Sequence, residues 1–278
     1  MNKKKVAIMY DFDRTLSSKD MQEFSFIPSL GYKKTSDFWN ESAKLAKENK
    51  MDRILAYLYL MLRKSQEANV PIHKENFEKL GKSVELYPGV ETWFKRVNEK
   101  GKELNLEIEH YIISSGLKEI IDGTSIVNEF KKVYACRFLY DANDVAVWPS
   151  LVVNYTTKTQ YIFRINKQIL AEDADDALNE YYDDNNRPIP FNRMIYIGDG
   201  LTDVPCMKLL KEKGGKSIVV YDKDKSVAKS LIKSDRVNYM MKADYREDTE
   251  MEKLIFAVFE NIKSVITLEE MDVKNNER

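Results

Sequence analysis

Val6-Ala7-Ile8-Met9-Tyr10 is an unbroken apolar run that stops at Asp11, and no other feature restricts the fold of this chain so strongly. A strand with one face in water alternates apolar and polar residues, whereas a strand apolar on both sides belongs inside a parallel sheet covered on both faces. The pattern recurs. Tyr111-Ile112-Ile113 stops at Ser114, Met194-Ile195-Tyr196-Ile197 at Gly198-Asp199, and Ile218-Val219-Val220-Tyr221 at Asp222. Helical periods lie between these runs. Val90, Trp93, Phe94 and Val97 follow i, i+3, i+4, i+7 after Pro88-Gly89, and Met251, Leu254, Ile255, Val258, Phe259 and Ile262 form a longer stripe. Such alternation predicts an α/β fold: a parallel sheet with right-handed crossovers and helices on both faces.

From about Ser17 to Leu86 no buried strand is evident, but helical patterns are, the clearest being Ile54, Leu55, Leu58, Met61 and Leu62. This segment reads as a helical domain, 17–86, inserted into a core of residues 1–16 and 87–278. Its Met51, Tyr57, Tyr59 and Met61 are assigned to packing. Between Lys131 and Pro149, apolar segments around Asp141-Ala142-Asn143-Asp144 predict a hairpin. Asp173 to Asn186, acidic and polar, predicts a solvated helix and loop.

Composition excludes several classes of function. Lys and Arg number 44 against 45 Asp and Glu, so no net field draws the chain to nucleic acid or anionic lipid, and no nucleic-acid partner is expected. The longest apolar stretch, around Leu55 to Leu62, falls far short of the ~20 residues that cross a bilayer, so no membrane association is expected. The basic start Lys3-Lys4-Lys5 imitates a secretory signal, but its apolar segment ends at Asp11 and reads as a first strand. Cys136 and Cys206 have no CxxC spacing, and His occurs only at 73 and 110, which argues against a disulfide scaffold or a Cys/His zinc site. A reduced, cytoplasmic enzyme is expected. Oligomeric state is not written in the sequence.

The chemistry concentrates where the strands end. Asp11-Phe12-Asp13-Arg14-Thr15 follows the first run, and residues i and i+2 of an extended segment point the same way. Asp11 and Asp13 therefore converge at the carboxyl edge of the sheet, where parallel α/β sheets bind ligands. A calcium loop would need Gly at 16 and Glu at 22, where Leu16 and Gln22 stand. Gly198-Asp199-Gly200-Leu201-Thr202-Asp203 follows a second strand, its glycines permitting a tight turn and its two carboxylates able to face a hard cation. Helix capping is the alternative role for these acids. Ser114, Ser115 and Gly116 end a third strand and read as a helix N-terminus with a hydroxyl and N–H groups suited to an anion. Ser115-Gly116-Leu117-Lys118 also matches the SxxK pattern of penicillin-recognising acyl enzymes, but the companion Ser-Asp-Asn and Lys-Thr-Gly elements are missing. Lys158 opens the helix that carries Ile162, Phe163 and Ile165; alone it would read as a surface charge.

Taken in order, Asp-x-Asp-x-Thr, a strand-ending Ser, a helix-opening Lys and Gly-Asp-Gly-x-Thr-Asp resemble the four motifs of the haloacid dehalogenase (HAD) superfamily. The inserted helical domain and the 131–149 hairpin are similar to the phosphoserine phosphatase branch, and Tyr87-Pro88-Gly89-Val90 looks like the point of re-entry into the core. The resemblance implies a Rossmann-like core under a helical cap. It further implies a phosphatase acting on a small phosphorylated metabolite, with Asp11 as nucleophile and Asp13 as acid and base. Magnesium would be held by Asp11, the Asp13 carbonyl and Asp199, with Asp203 supporting or completing the site. Ser114, Ser115, Gly116 and Lys158 would bind phosphate. A phosphotransferase or phosphomutase would use the same intermediate, and a non-catalytic regulator could share the fold. A dehalogenase ranks lower, because Asp13 has a task when an alkoxide leaves and none when a halide leaves. Arg14 departs from the small residue usual at its position and is expected to narrow the entrance or touch substrate. Asp20 lies where an acidic side chain meets the substrate ammonium in phosphoserine phosphatases.

Overall fold

The computed structural model describes residues 3–183 and 187–276. Its strands are β1 (Lys4–Tyr10), β2 (Leu106–Leu117), β3 (Lys132–Tyr140), β4 (Ala146–Leu151), β5 (Met194–Gly198), β6 (Lys216–Tyr221) and β7 (Tyr239–Lys242). They form one sheet in the order β4-β3-β2-β1-β5-β6-β7, parallel throughout except for the antiparallel β3–β4 hairpin. Strand β1 is central, and Val6 to Tyr10 have no exposure, as a run apolar on both sides requires. The chain passes from β1 to β2 on one side and returns to β5 on the other. A crevice opens at the carboxyl ends of strands at such a switch point, and Asp11 stands there.

The insert contains α1 (Phe26–Ser29), α2 (Thr35–Asn49), α3 (Arg53–Glu67) and α4 (Lys74–Leu80). It leaves and rejoins the core through a narrow neck: Ser17 pairs with Leu86, Ser18 N–H donates to Glu85 O (2.9 Å), and Tyr87 N–H to Leu16 O (2.8 Å). Two further contacts anchor it. The Asp52 carboxylate caps α3 by accepting the Ile54 and Leu55 N–H groups, and its other oxygen accepts from Asn154 in the loop before Lys158 (3.0 Å). At the far end, a Cβ on Gly81 would lie 2.2 Å from Ile120 O, so only glycine allows the two backbones to approach this closely.

The core helices are α5 (Val90–Glu103), α6 (Lys118–Asp122), α7 (Lys158–Lys167), α8 (Asp175–Asn179), α9 (Val204–Glu212), α10 (Ser226–Lys233) and α11 (Glu250–Asn276). Val90, Trp93, Phe94 and Val97 form the buried face of α5, and Met251, Ile255, Val258, Phe259 and Ile262 are buried on α11. Strand β2 is much longer than its apolar run: it begins at Leu106 and continues through Ser114-Ser115-Gly116. The edge strand β7 carries no continuous apolar signal in the sequence: Tyr239, Met240 and Met241 are partly buried and Lys242 is exposed. In the acidic stretch expected over 173–186, α8 is a single short helix, and residues 184–186 lie outside the described set. Among the described residues no helix is long and apolar enough to cross a membrane.

Candidate active site

The end of β1 delivers Asp11, whose N–H donates to Ile197 O on β5 (2.8 Å). Thr15, Leu16 and Ser17 then direct their N–H groups back to Phe12 O, closing a turn that brings Asp13 to the same cavity. Asp13 Oδ1 accepts the Met21 N–H (2.8 Å). Asp11, Asp13, Ser114, Ser115, Lys158 and Asp199 all line this cavity of about 480 Å3, together with Arg14 and Asp20. Asp203 is fully buried beneath it.

Lys158 is the electrostatic centre. Asn154 Oδ1 accepts the N–H groups of Thr156 and Thr157, shaping the turn that starts α7 and presents the lysine. The buried Nζ donates to Asp11 Oδ1 (2.8 Å) and Asp203 Oδ1 (2.7 Å). Burial alone would push its pKa down, but the charges of Asp11 and Asp203 outweigh burial and hold it well above the usual range. Lys158 is thus a fixed ammonium. Asp203 Oδ1 also accepts from Tyr196 OH (2.7 Å), and its Oδ2 from Gly200 N–H (3.3 Å). With both oxygens occupied inside the protein, Asp203 chiefly positions the lysine.

The acids outnumber the cations. Among the described residues that line the cavity, the cations are Arg14 and Lys158, against Asp11, Asp13, Asp20 and Asp199, with Asp203 below. Burial pushes the Asp11 carboxyl up to about 7, Lys158 lowering it and Asp203 raising it further. Asp13 lies well above the usual carboxylate range, first through burial and then through the charges of Asp20 and Asp11. Asp199 is raised likewise, by burial and by Asp203 and Asp11. Buried negative charge of this kind calls for a compensating cation. Carboxylate oxygens of Asp11, Asp199 and Asp203 lie within 4.8 Å of one another, and these hard donors could hold a divalent metal ion.

The anion-binding side differs from expectation. Ser114 to Gly116 belong to β2, and the α6 that follows is a single turn, so no substantial helix dipole points at the site. The Gly116 N–H is already used, donating to Ser114 Oγ (3.0 Å). That leaves the Ser114 hydroxyl hydrogen free to donate, and Ser115 Oγ is buried with no partner among the described residues. Gly116 instead provides space: a Cβ there would lie 2.8 Å from Asp13 Oδ2 and 2.2 Å from Met21 Cε. Gly198 is explained in the same way, by close approach instead of a special turn, since a Cβ would stand 2.4 Å from Asp203 Oδ2.

Several participants escaped the sequence reading. Tyr57, assigned to packing, also lines the cavity and donates from its hydroxyl to Ser115 O (2.6 Å). Tyr59, grouped with it, is substantially exposed, while Met61 is buried as expected. Trp39, Ile54 and Gln22 complete the cap-side wall, and Tyr196 steadies Asp203 from within β5. None carries a local signal for a place in the site: Gln22, Trp39, Ile54 and Tyr57 reach the cavity through the folding of the insert, and Tyr196 is engaged only by the approach of Asp203.

The family model for haloacid dehalogenase-like hydrolases matches residues 8–208, which include every one of these core acids and Lys158. The chain belongs to the haloacid dehalogenase-like hydrolases. An uncharacterized Borreliella burgdorferi protein is 28% identical to this HAD hydrolase over 285 residues, covering 91% of this chain and 98% of the relative. Among solved structures, a HAD-family hydrolase from Salmonella enterica serovar Typhi superposes with a TM-score of 0.59 at 17% identity, over 90% of this chain and 70% of the other. A phosphoserine phosphatase captured as a phospho-aspartyl intermediate analogue gives 0.55 at 17% identity, over 91% and 98%. At these identities the structural likeness establishes a shared fold, and it places the HAD hydrolase with phosphoserine phosphatase-like architectures.

Proposed function

We propose that this hydrolase is a magnesium-dependent phosphatase that cleaves small phosphomonoesters through an aspartyl-phosphate on Asp11. The observation that carries the reading is the Asp11–Lys158 pair (2.8 Å) in a cavity that is also lined by a second acid, Asp13, and by Ser114 and Ser115. Lys158 and the two serines bind the phosphoryl oxygens, the lysine by charge and the serines by donated hydrogens. An Asp11 oxygen forms a bond to phosphorus as the bond from phosphorus to the leaving oxygen breaks, and Asp13 gives its proton to that oxygen. Asp13 then takes a proton from water, whose oxygen displaces Asp11 and releases inorganic phosphate. Both carboxyls return to their starting states. Asp11, Asp199 and the Asp13 carbonyl, with Asp203 in support, would hold magnesium, which would supply positive charge to offset repulsion between carboxylate and phosphate.

Support for this reading comes also from a phosphoserine phosphatase of the same fold solved as a phospho-aspartyl intermediate analogue. A cytoplasmic setting belongs to the proposal, supported by Cys136 and Cys206, both buried free thiols. The test is hydrolysis of a chromogenic phosphomonoester with magnesium, repeated in EDTA and with Asp11→Asn. Turnover is expected only in the first case, and rapid quench should trap phosphate on Asp11. Full activity in metal-free buffer, or label on another residue, would overturn the mechanism.

A further inference from the structure

Arg14 and, from the insert, Asp20, Gln22, Trp39, Ile54 and Tyr57 form the cap side of the cavity. Asp20, the acid expected to meet a substrate ammonium, is already occupied: Arg14 grips both its oxygens, through Nη2 at 2.8 Å and Nε at 3.3 Å. This two-pronged geometry is the strongest that Arg and a carboxylate form. Arg14 itself adopts φ +57°, a left-handed conformation uncommon for a side-chain-bearing residue. Neither charge in the pair is left as an open counter-ion.

The remaining wall is uncharged. Trp39 and Tyr57 pack edge to face with ring centroids 5.7 Å apart. Their polar atoms are turned to the protein, Trp39 Nε1 donating to Glu23 (2.8 Å) and Tyr57 OH to Ser115 O, so apolar ring surface is what remains for a ligand. Gln22 is 1% exposed, and its Oε1 has no hydrogen-bond partner among the described residues. A buried acceptor without a donor is costly, which marks a place where a ligand hydrogen would be welcome.

Building on the phosphatase reading, we propose that the cavity selects a phosphomonoester whose leaving alcohol is uncharged. That alcohol sets a ring or other apolar face against Trp39, Ile54 and Tyr57 and gives a hydroxyl or N–H hydrogen to Gln22. The Arg14–Asp20 pair is the selectivity element. It closes the charge that an amino-bearing substrate would need, so phosphoserine and phosphoethanolamine are poor substrates.

The test uses the full chain with magnesium and compares kcat/KM for phosphoethanolamine, phosphoserine, phenyl phosphate and a nucleoside 5′-monophosphate. The two ring-bearing esters should exceed both amino esters by about tenfold or more. Arg14→Gly, which suits the left-handed backbone, frees Asp20 and should raise the phosphoethanolamine-to-phenyl phosphate ratio about tenfold. Asp20→Asn frees Arg14 instead and should raise the ratio for phosphoglycolate, whose carboxylate then finds a partner. Gln22→Leu should lower the nucleotide-to-phenyl phosphate ratio. Wild-type preference for either amino ester, or selectivity ratios unmoved in Arg14→Gly and Asp20→Asn, would overturn this inference while leaving the phosphatase intact. If the wild type hydrolyses none of the four esters, the phosphatase reading falls and the inference with it.

Discussion

Tyr10 and Asp11 are adjacent in sequence, yet each belongs to a different kind of buried polar chain. On one side of β1, Trp93 Nε1 donates to the Tyr10 oxygen (3.0 Å), and the Tyr10 hydroxyl meets His110 Nδ1 (3.1 Å). His110 Nε2 then meets Asn98 Oδ1 (3.1 Å). Since an indole N–H can only donate, the direction runs from Trp93 through Tyr10 and His110 to Asn98, each donor matched to one acceptor. On the other side, Lys158 is shared by Asp11 and Asp203, with Tyr196 donating to the latter, and negative charge is left over. The neutral chain is closed, whereas the charged chain retains unmet charge and unspent hydroxyls. Groups that only stabilise a fold are satisfied within it; groups that act on a ligand are left partly unsatisfied until the ligand arrives.

The contrast can be broken most forcefully at Asp13. Asp13→Asn should lower kcat/KM, which reports the step that forms the aspartyl-phosphate, on the order of 10²–10⁴-fold for an alkyl phosphate, the usual worth of general acid–base catalysis, and less for p-nitrophenyl phosphate, whose leaving group needs no proton. Equal losses on both esters would remove Asp13 from the acid role. Next comes Lys158→Met, which leaves Asp11 and Asp203 buried without their cation. Urea unfolding in EDTA should reveal a destabilisation of about 3–5 kcal/mol, and unchanged stability would mean that the lysine holds nothing together. Tyr196→Phe removes one donor to the same charged Asp203 and should cost about 1.5–3 kcal/mol in the same measurement.

How far the sequence reveals this arrangement depends on whether a feature is local. Asp11, Ser114 and Asp199 end or follow apolar runs, and a strand buried on both faces announces its own boundary, so the catalytic edge of the sheet is legible residue by residue. The helical character of the insert is legible too, since α3 repeats Leu58, Met61 and Leu62 on one face. What escapes is whatever tertiary closure creates. Arg14 and Asp20 are six residues apart across a turn, and nothing in either residue type says that they grip one another. Ser114 to Gly116 read as a helix start because Ser and Gly commonly begin helices, but pairing of Leu117 with Cys136 on β3 extends the strand past them. Tyr196 sits in an apolar run where a tyrosine is unremarkable, and only the approach of Asp203 gives its hydroxyl a task.

The smallest expected effect concerns the neutral chain and separates it most cleanly from the charged one. Burial pushes the His110 pKa down from 6.5 to about 3, so the folded protein keeps the ring neutral where the unfolded chain would protonate it. As pH falls below 6.5 the unfolded state takes up a proton that the folded state refuses, and stability is lost until the folded pKa is reached. The contribution is therefore complete above pH 6.5 and declines through the window from 6.5 to about 3. Between pH 7.5 and pH 5.5 the loss amounts to about 1.4 kcal/mol. His110→Gln keeps a donor and an acceptor but has no proton to gain, so its unfolding free energy should fall less over that interval by this amount. Other acids titrate alike in both proteins, and their effects cancel in the difference. Parallel pH profiles for wild type and variant would mean that His110 is accessible to protons in the folded state, and the neutral chain would then be no more closed than the catalytic one.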